Sequence, residues 1–250
     1  MVRWLVSLMI VLAACGAARA DDAAAPATQP AEEGVGLLRH VQIDLKTRQI
    51  RVECQALNVH MPLEFFCVVR GGQEHETVLR TDARPSTIHF GLLALGLKPG
   101  EPAHLDADRK LWFPPTGPTL KITCQYQLDG KTMVVPACRM MRSVKTKREM
   151  GPMDWVFDGS RMLPDGRYAA DLTGYVVSIV NFDLTMIDVP ELASNANETL
   201  EWEYNPDVVP PPGTQVTMII EPAGGEATTQ PSQGKPAGQY NPGPGLNGGN

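Results

Sequence analysis

The stretch Leu120-Lys121-Ile122-Thr123-Cys124-Gln125-Tyr126, followed by Asp129-Gly130 and then Thr132-Met133-Val134-Val135, decides the fold. Leu120, Ile122, Cys124 and Tyr126 alternate with Lys121, Thr123, Gln125 and Gln127, the period of a strand with one buried face. Asp-Gly between two such runs suits a two-residue hairpin turn, whose central residues both take positive φ. That turn sets Cys124 opposite Val135 and not opposite Cys138.

The same alternation recurs on either side. Upstream lie Val41, Ile43 and Leu45, then Ile50, Val52, Cys54 and Ala56, then Leu63, Phe65, Cys67 and Val69. With residues 77–79 after the Gly71-Gly72 turn, they read as an antiparallel meander. Downstream, residues 155–157, 161–163, 186–189 and 216–220 read as strands. Residues 175–180 are almost continuously apolar, as in a strand buried on both faces. One helix stands out. Pro85 suits its first position, Gly96 the position past its end, and Ile88, Leu92 and Leu95 form one stripe between them. The expected class is α+β and β-rich, with antiparallel sheets and one main helix packed on a sheet.

The chain of 250 residues opens on Met1-Val2-Arg3-Trp4, an apolar run over 5–14, and small residues. This is the layout of a secretory signal, too short to span a bilayer. Two cleavage readings compete. Leu12-Ala13-Ala14-Cys15 before Gly16 resembles a lipobox, giving a signal over 1–14 and a lipidated Cys15. Ala18-Arg19-Ala20 before Asp21 fits ordinary signal peptidase and a signal over 1–20. Both place the mature chain outside the cytoplasm, as a periplasmic or cell-envelope lipoprotein or a soluble periplasmic or secreted protein. Residues 21–34 read as a flexible linker, 35–220 as one globular domain and 221–250 as a disordered Pro/Gly-rich tail. The charge of −6 becomes more negative once Arg3 and Arg19 leave with the signal. That balance argues against nucleic acid as partner and leaves a lipid anchor at Cys15 as the only membrane contact.

Cys54 and Cys67 are the candidate disulfide, since an exported chain can form one. The competing reading makes Cys54, Cys67 and Cys124 small buried hydrophobes on apolar strand faces. No C-x-x-C occurs, so zinc ribbons and clustered iron–sulphur ligation lack their signature.

Glu74-His75-Glu76 is the most interesting polar cluster. On a strand, Glu74 and Glu76 face one side and His75 the other. His75 meets His89 if the helix packs across its face, and two imidazoles with a carboxylate suit a divalent metal or acid–base work. Ser86 joins them at the helix start, where exposed N–H groups favour an anion, a ligand's or Glu76's own. The competing reading is solvated charges after a Gly-Gly turn and a packing histidine. Asp158-Gly159-Ser160 lacks the G-x-S-x-G elbow and reads as a strand-ending bulge. No residue is assigned as catalytic.

Three blocks carry a family resemblance. They are Leu63-Glu64-Phe65-Phe66 with Gly71-Gly72-Gln73-Glu74-His75-Glu76; Arg84-Pro85-Ser86-Thr87-Ile88-His89 through Leu92-Leu93-Ala94-Leu95-Gly96 to Gly100; and Trp155-Val156-Phe157-Asp158-Gly159-Ser160. Together they resemble the YdjY domain family of exported bacterial proteins, over roughly residues 35–220. The resemblance implies a domain and no reaction. Some relatives carry ferredoxin-type cysteine clusters; this chain has none, so no electron-transfer role follows. The expected function is a non-catalytic binding domain, without cofactor, for an unknown envelope protein. The alternative is a metal-binding or enzymatic module using Glu74, His75, Glu76 and His89.

Overall fold

The computed structural model describes residues 35–106, 111–193 and 200–224. The strands in chain order are β1 (Val35–Leu38), β2 (Val41–Asp44), β3 (Gln49–Ala56), β4 (Phe65–Val69), β5 (Thr77–Thr81), β6 (His104–Asp106), β7 (Leu111–Phe113), β8 (Thr119–Leu128), β9 (Lys131–Pro136), β10 (Met141–Ser143), β11 (Trp155–Phe157), β12 (Tyr175–Ser178), β13 (Ile187–Asp188), β14 (Trp202–Tyr204) and β15 (Gln215–Pro222). The helices are α1 (Pro85–Ala94) and α2 (Ala169–Thr173).

The β8–β9 hairpin forms as its sequence dictates. Asp129 and Gly130 take φ of 50° and 74°, and Cys124 stands opposite Val135. Strand β15 then inserts between β8 and β3. The rows Ile50–Ile220–Ile122, Val52–Met218–Cys124 and Cys54–Val216–Tyr126 run across the three strands, and every member is buried.

The expectation of antiparallel sheets with one main helix packed on a sheet is overturned. The order β3-β15-β8-β11-β13-β12-β4-β5 returns to its start, because β5 pairs with β3 as well as with β4. The result is a closed barrel of eight strands. Closure lets alternate residues of every strand meet in one interior and removes the wall's edges, so no helical layer is needed to cover them. Nor is the wall a meander: β4–β5 and β12–β13 are parallel pairs. Residues 70–76 carry the chain back along β4 to its beginning, so that Glu64 N–H donates to the main-chain oxygen of Glu76 at 3.0 Å.

Helix α1 sits against β2 and β3. Its Ile88, Leu92 and Leu95 are buried. A Cβ at Gly91 would lie 3.0 Å from Ile50 Cγ2, so the helix backbone rests on the side chains of β2 and β3. Residues 161–163 form no strand; Met162 makes one isolated bridge to Tyr168. Strand β15 runs to Pro222, past the expected tail boundary at 221. The signal, Cys15, the linker over 21–34 and residues 225–250 lie outside the described residues.

The Cys54–Cys67 disulfide is not formed: all four described cysteines are free and buried. Strand β5 lies between β3 and β4, pairing Cys54 with Thr81 and Cys67 with Leu79. The two thiols nonetheless meet in the core: burial first, then a hydrogen bond with Cys54, pushes the Cys67 thiol up.

Candidate functional site

Residues Glu74–Glu76 form a single 3-10 turn, not a strand. Glu74 is anchored within that turn. It accepts from Gly71 N–H at 2.7 Å and from Arg80 Nη1 at 2.6 Å. Partial burial pushes its carboxyl up, but the Gly71 N–H and the Arg80 guanidinium outweigh this and hold it below the usual range. His75 is 63% exposed, with Nε2 at 3.6 Å from Glu76 Oε1.

Glu76 meets a residue that sequence reasoning passed over. Burial pushes Glu64 up to about 8, helped by the charge of Glu76 and a hydrogen bond to it. Glu64 and Glu76 therefore meet as two half-buried carboxyls. The return of residues 70–76 along β4 brings them together. The one signal in the sequence is a lone charge inside the apolar block Leu63-Glu64-Phe65-Phe66.

Ser86 and His89 lie in different surroundings. Ser86 donates to Asp171 through both N–H (2.8 Å) and Oγ (2.7 Å), and Arg84 adds a bond at 3.0 Å. The anion at the start of α1 is therefore Asp171, supplied by α2, not Glu76. His89 packs edge-on to Phe157 with centroids 4.9 Å apart. Its Nδ1 lies 2.8 Å from the Tyr168 hydroxyl, which donates to Gly159 O at 2.9 Å. Tyr168 has a single proton, so Nδ1 of His89 must be the donor, and Nε2 keeps the lone pair. Burial pulls the His89 imidazole below its ordinary value, in keeping with this neutral form.

The five expected residues thus divide among four settings: Glu74 with Arg80, Glu76 with His75 and Glu64, Ser86 with Asp171, and His89 with Tyr168. Among the described residues, no three His, Cys, Asp or Glu side chains are grouped to hold a metal ion.

Two concave surfaces flank these residues. A polar recess of about 200 Å³ is lined by His40, Glu53, Gln55, Arg70, Arg80 and Asp82. Its polar side chains are matched within the chain: His40 to Glu53 at 2.8 Å, Arg70 to Asp82 at 2.7 and 3.0 Å, and Arg80 to Glu74. A shallow groove of about 390 Å³ is lined by Leu38, Arg39, Ser86, Thr87 and Phe90. Phe90 is 56% exposed, and Leu38 and Leu93 are also exposed. Beside the groove, β1 pairs with β2 alone among the described strands.

A family model described as the YdjY domain matches residues 40–221. No curated protein and no solved structure matches the chain.

Proposed function

The chain belongs to the YdjY domain family, and from that membership we propose that it is an exported, envelope-tethered, non-catalytic domain that binds another envelope protein. The observation that carries this reading is the exposed groove between α1 and the end of β1. Phe90 and Leu38 offer apolar contacts there, and β1 offers an edge to which a partner strand can add through main-chain hydrogen bonds. The candidate site side chains, in contrast, are dispersed, with Glu74 on Arg80, Ser86 on Asp171 and His89 on Tyr168.

A photo-crosslinking residue at Phe90 tests the proposal in intact envelopes, with the exposed Met162 as control position. One discrete protein adduct from Phe90 and none from Met162 is expected. No adduct at Phe90, or the same adducts from both positions, overturns it. The tether is tested separately: Cys15→Ser should abolish lipid labelling, whereas a wild-type chain that begins at Asp21 without lipid removes the anchor from the proposal. Stoichiometric metal that disappears when His75 and His89 become Ala would replace the binding reading with the metal-dependent alternative.

A further inference from the structure

We propose that Asp158, Asp188 and Thr185 form a binding site for a hard divalent cation, calcium being the ion that suits it best. Among the described residues, the buried side-chain oxygens and nitrogens without a hydrogen-bond partner are Asp158 Oδ2, Thr185 Oγ1 and Asp188 Oδ2. All three belong to one place in the fold. Strands β11 and β13 are antiparallel, with Val156 opposite Asp188 and Phe157 opposite Ile187, and Gly159 N–H extends the ladder to Met186 O at 3.0 Å. Asp158 and Asp188 are diagonal neighbours on one face of this ladder, and Thr185 is on the same run of chain.

Each carboxylate is anchored through its other oxygen. Asp188 Oδ1 accepts from Ser178 Oγ at 2.6 Å and Val189 N–H at 2.7 Å, and the Asn181 amide and Phe182 N–H also favour its charged form. Asp158 Oδ1 accepts from Ser160 N–H at 3.0 Å. Fixing one oxygen with donors while leaving the other unclaimed is how a fold orients a metal-binding carboxylate. The charges need an answer. Burial pushes Asp158 well above the usual range, the charge of Asp188 adding to it, and burial pushes Asp188 up to about 7. Among the described ion pairs, no Lys, Arg or His reaches either one; the nearby Arg161 is taken by Asp183 at 3.0 Å. Two fully buried carboxyls without a counter-charge are costly.

The donors are carboxylate and hydroxyl oxygens, with main-chain carbonyls and water available to complete a sphere. Hard oxygen ligands suit calcium over zinc or copper. The position also gives the ion a role. Strand β13 spans only Ile187–Asp188 and pairs with β12 through a single residue, Val177 opposite Ile187. A cation held by both β11 and β13 would fasten the barrel's shortest strand to its neighbour.

The test uses the full chain stripped with EDTA, melted and titrated with calcium or magnesium at pH 7.5. Saturable binding of one calcium is expected, and at about 100 times its Kd a rise in Tm of about 5–10 °C. Asp158→Asn should lose that rise while its metal-free Tm stays at or above that of the wild type. Thr185→Val, nearly isosteric, should weaken calcium binding by about tenfold or more, and carries the test should Asp158→Asn not fold. A wild-type chain that shows no saturable shift with calcium or magnesium overturns the proposal. So does a shift that both variants retain, or one that His75→Ala and His89→Ala abolish instead.

Discussion

Glu64 places a pH dependence on the fold. Its folded value, pushed up to about 8 by burial, lies above the ordinary carboxylate range. The folded state therefore holds a proton that the unfolded chain releases. Stability from this group is complete below about pH 4.5 and declines as pH rises towards 8. Glu64→Gln should match the wild type at pH 4.5 and exceed it at pH 8.5, as read from urea midpoints. Equal midpoints at pH 8.5 would mean Glu64 is solvated. At the same scale, the four buried cysteines should resist a thiol reagent in the native protein and all react in guanidinium. Loss of two reactive thiols after denaturation would instead report a Cys54–Cys67 bond.

Helix α1 is the element whose sequence signals were clearest. Pro85 occupies its first turn, Gly96 takes φ of 82° beyond its end, and the Ile88, Leu92 and Leu95 stripe is buried. Leu92 is 0% exposed, so Leu92→Ala should cost about 2–5 kcal/mol of unfolding free energy. A cost below about 1 kcal/mol would place the stripe in a site able to collapse around the change. The Glu74–Glu76 segment was misread at this same scale. Three residues after a Gly-Gly turn carry no periodicity long enough to separate a strand from a 3-10 turn, so the opposed faces drawn for Glu74 and His75 had no local basis. The start of α1 was legible as an anion-favouring site. That Asp171 occupies it was not, because α2 lies more than eighty residues away in the chain.

For the whole molecule, β15 is a central stave, paired with β3 on one edge and β8 on the other. Its last pairs, Glu221 with Lys121 and Pro222 with Leu120, together with Ala223 N–H to Thr119 O at 2.9 Å, lie beyond residue 220. A chain ending at 220 should therefore melt below one ending at 224. Identical melting temperatures would show that these last pairs add nothing to the barrel.

The sequence alone determined the eight strands of the barrel wall, the hairpin register at Asp129-Gly130, the helix and its buried stripe, and through three residue blocks the family. Each of these follows from neighbours a few positions apart, where steric preference and side-chain period act directly on the chain. Only the tertiary structure decided that the wall closes, that Cys54 and Cys67 meet as free thiols although β5 lies between their strands, that Glu64 meets Glu76, and that Asp158 lies beside Asp188. These depend on which strand edges find each other, and a strand's pattern marks its buried face without naming the partner at its edge. The acid pairs carry the least local signal of all. A carboxylate reads as solvent-facing wherever it stands, until the fold removes the water around it.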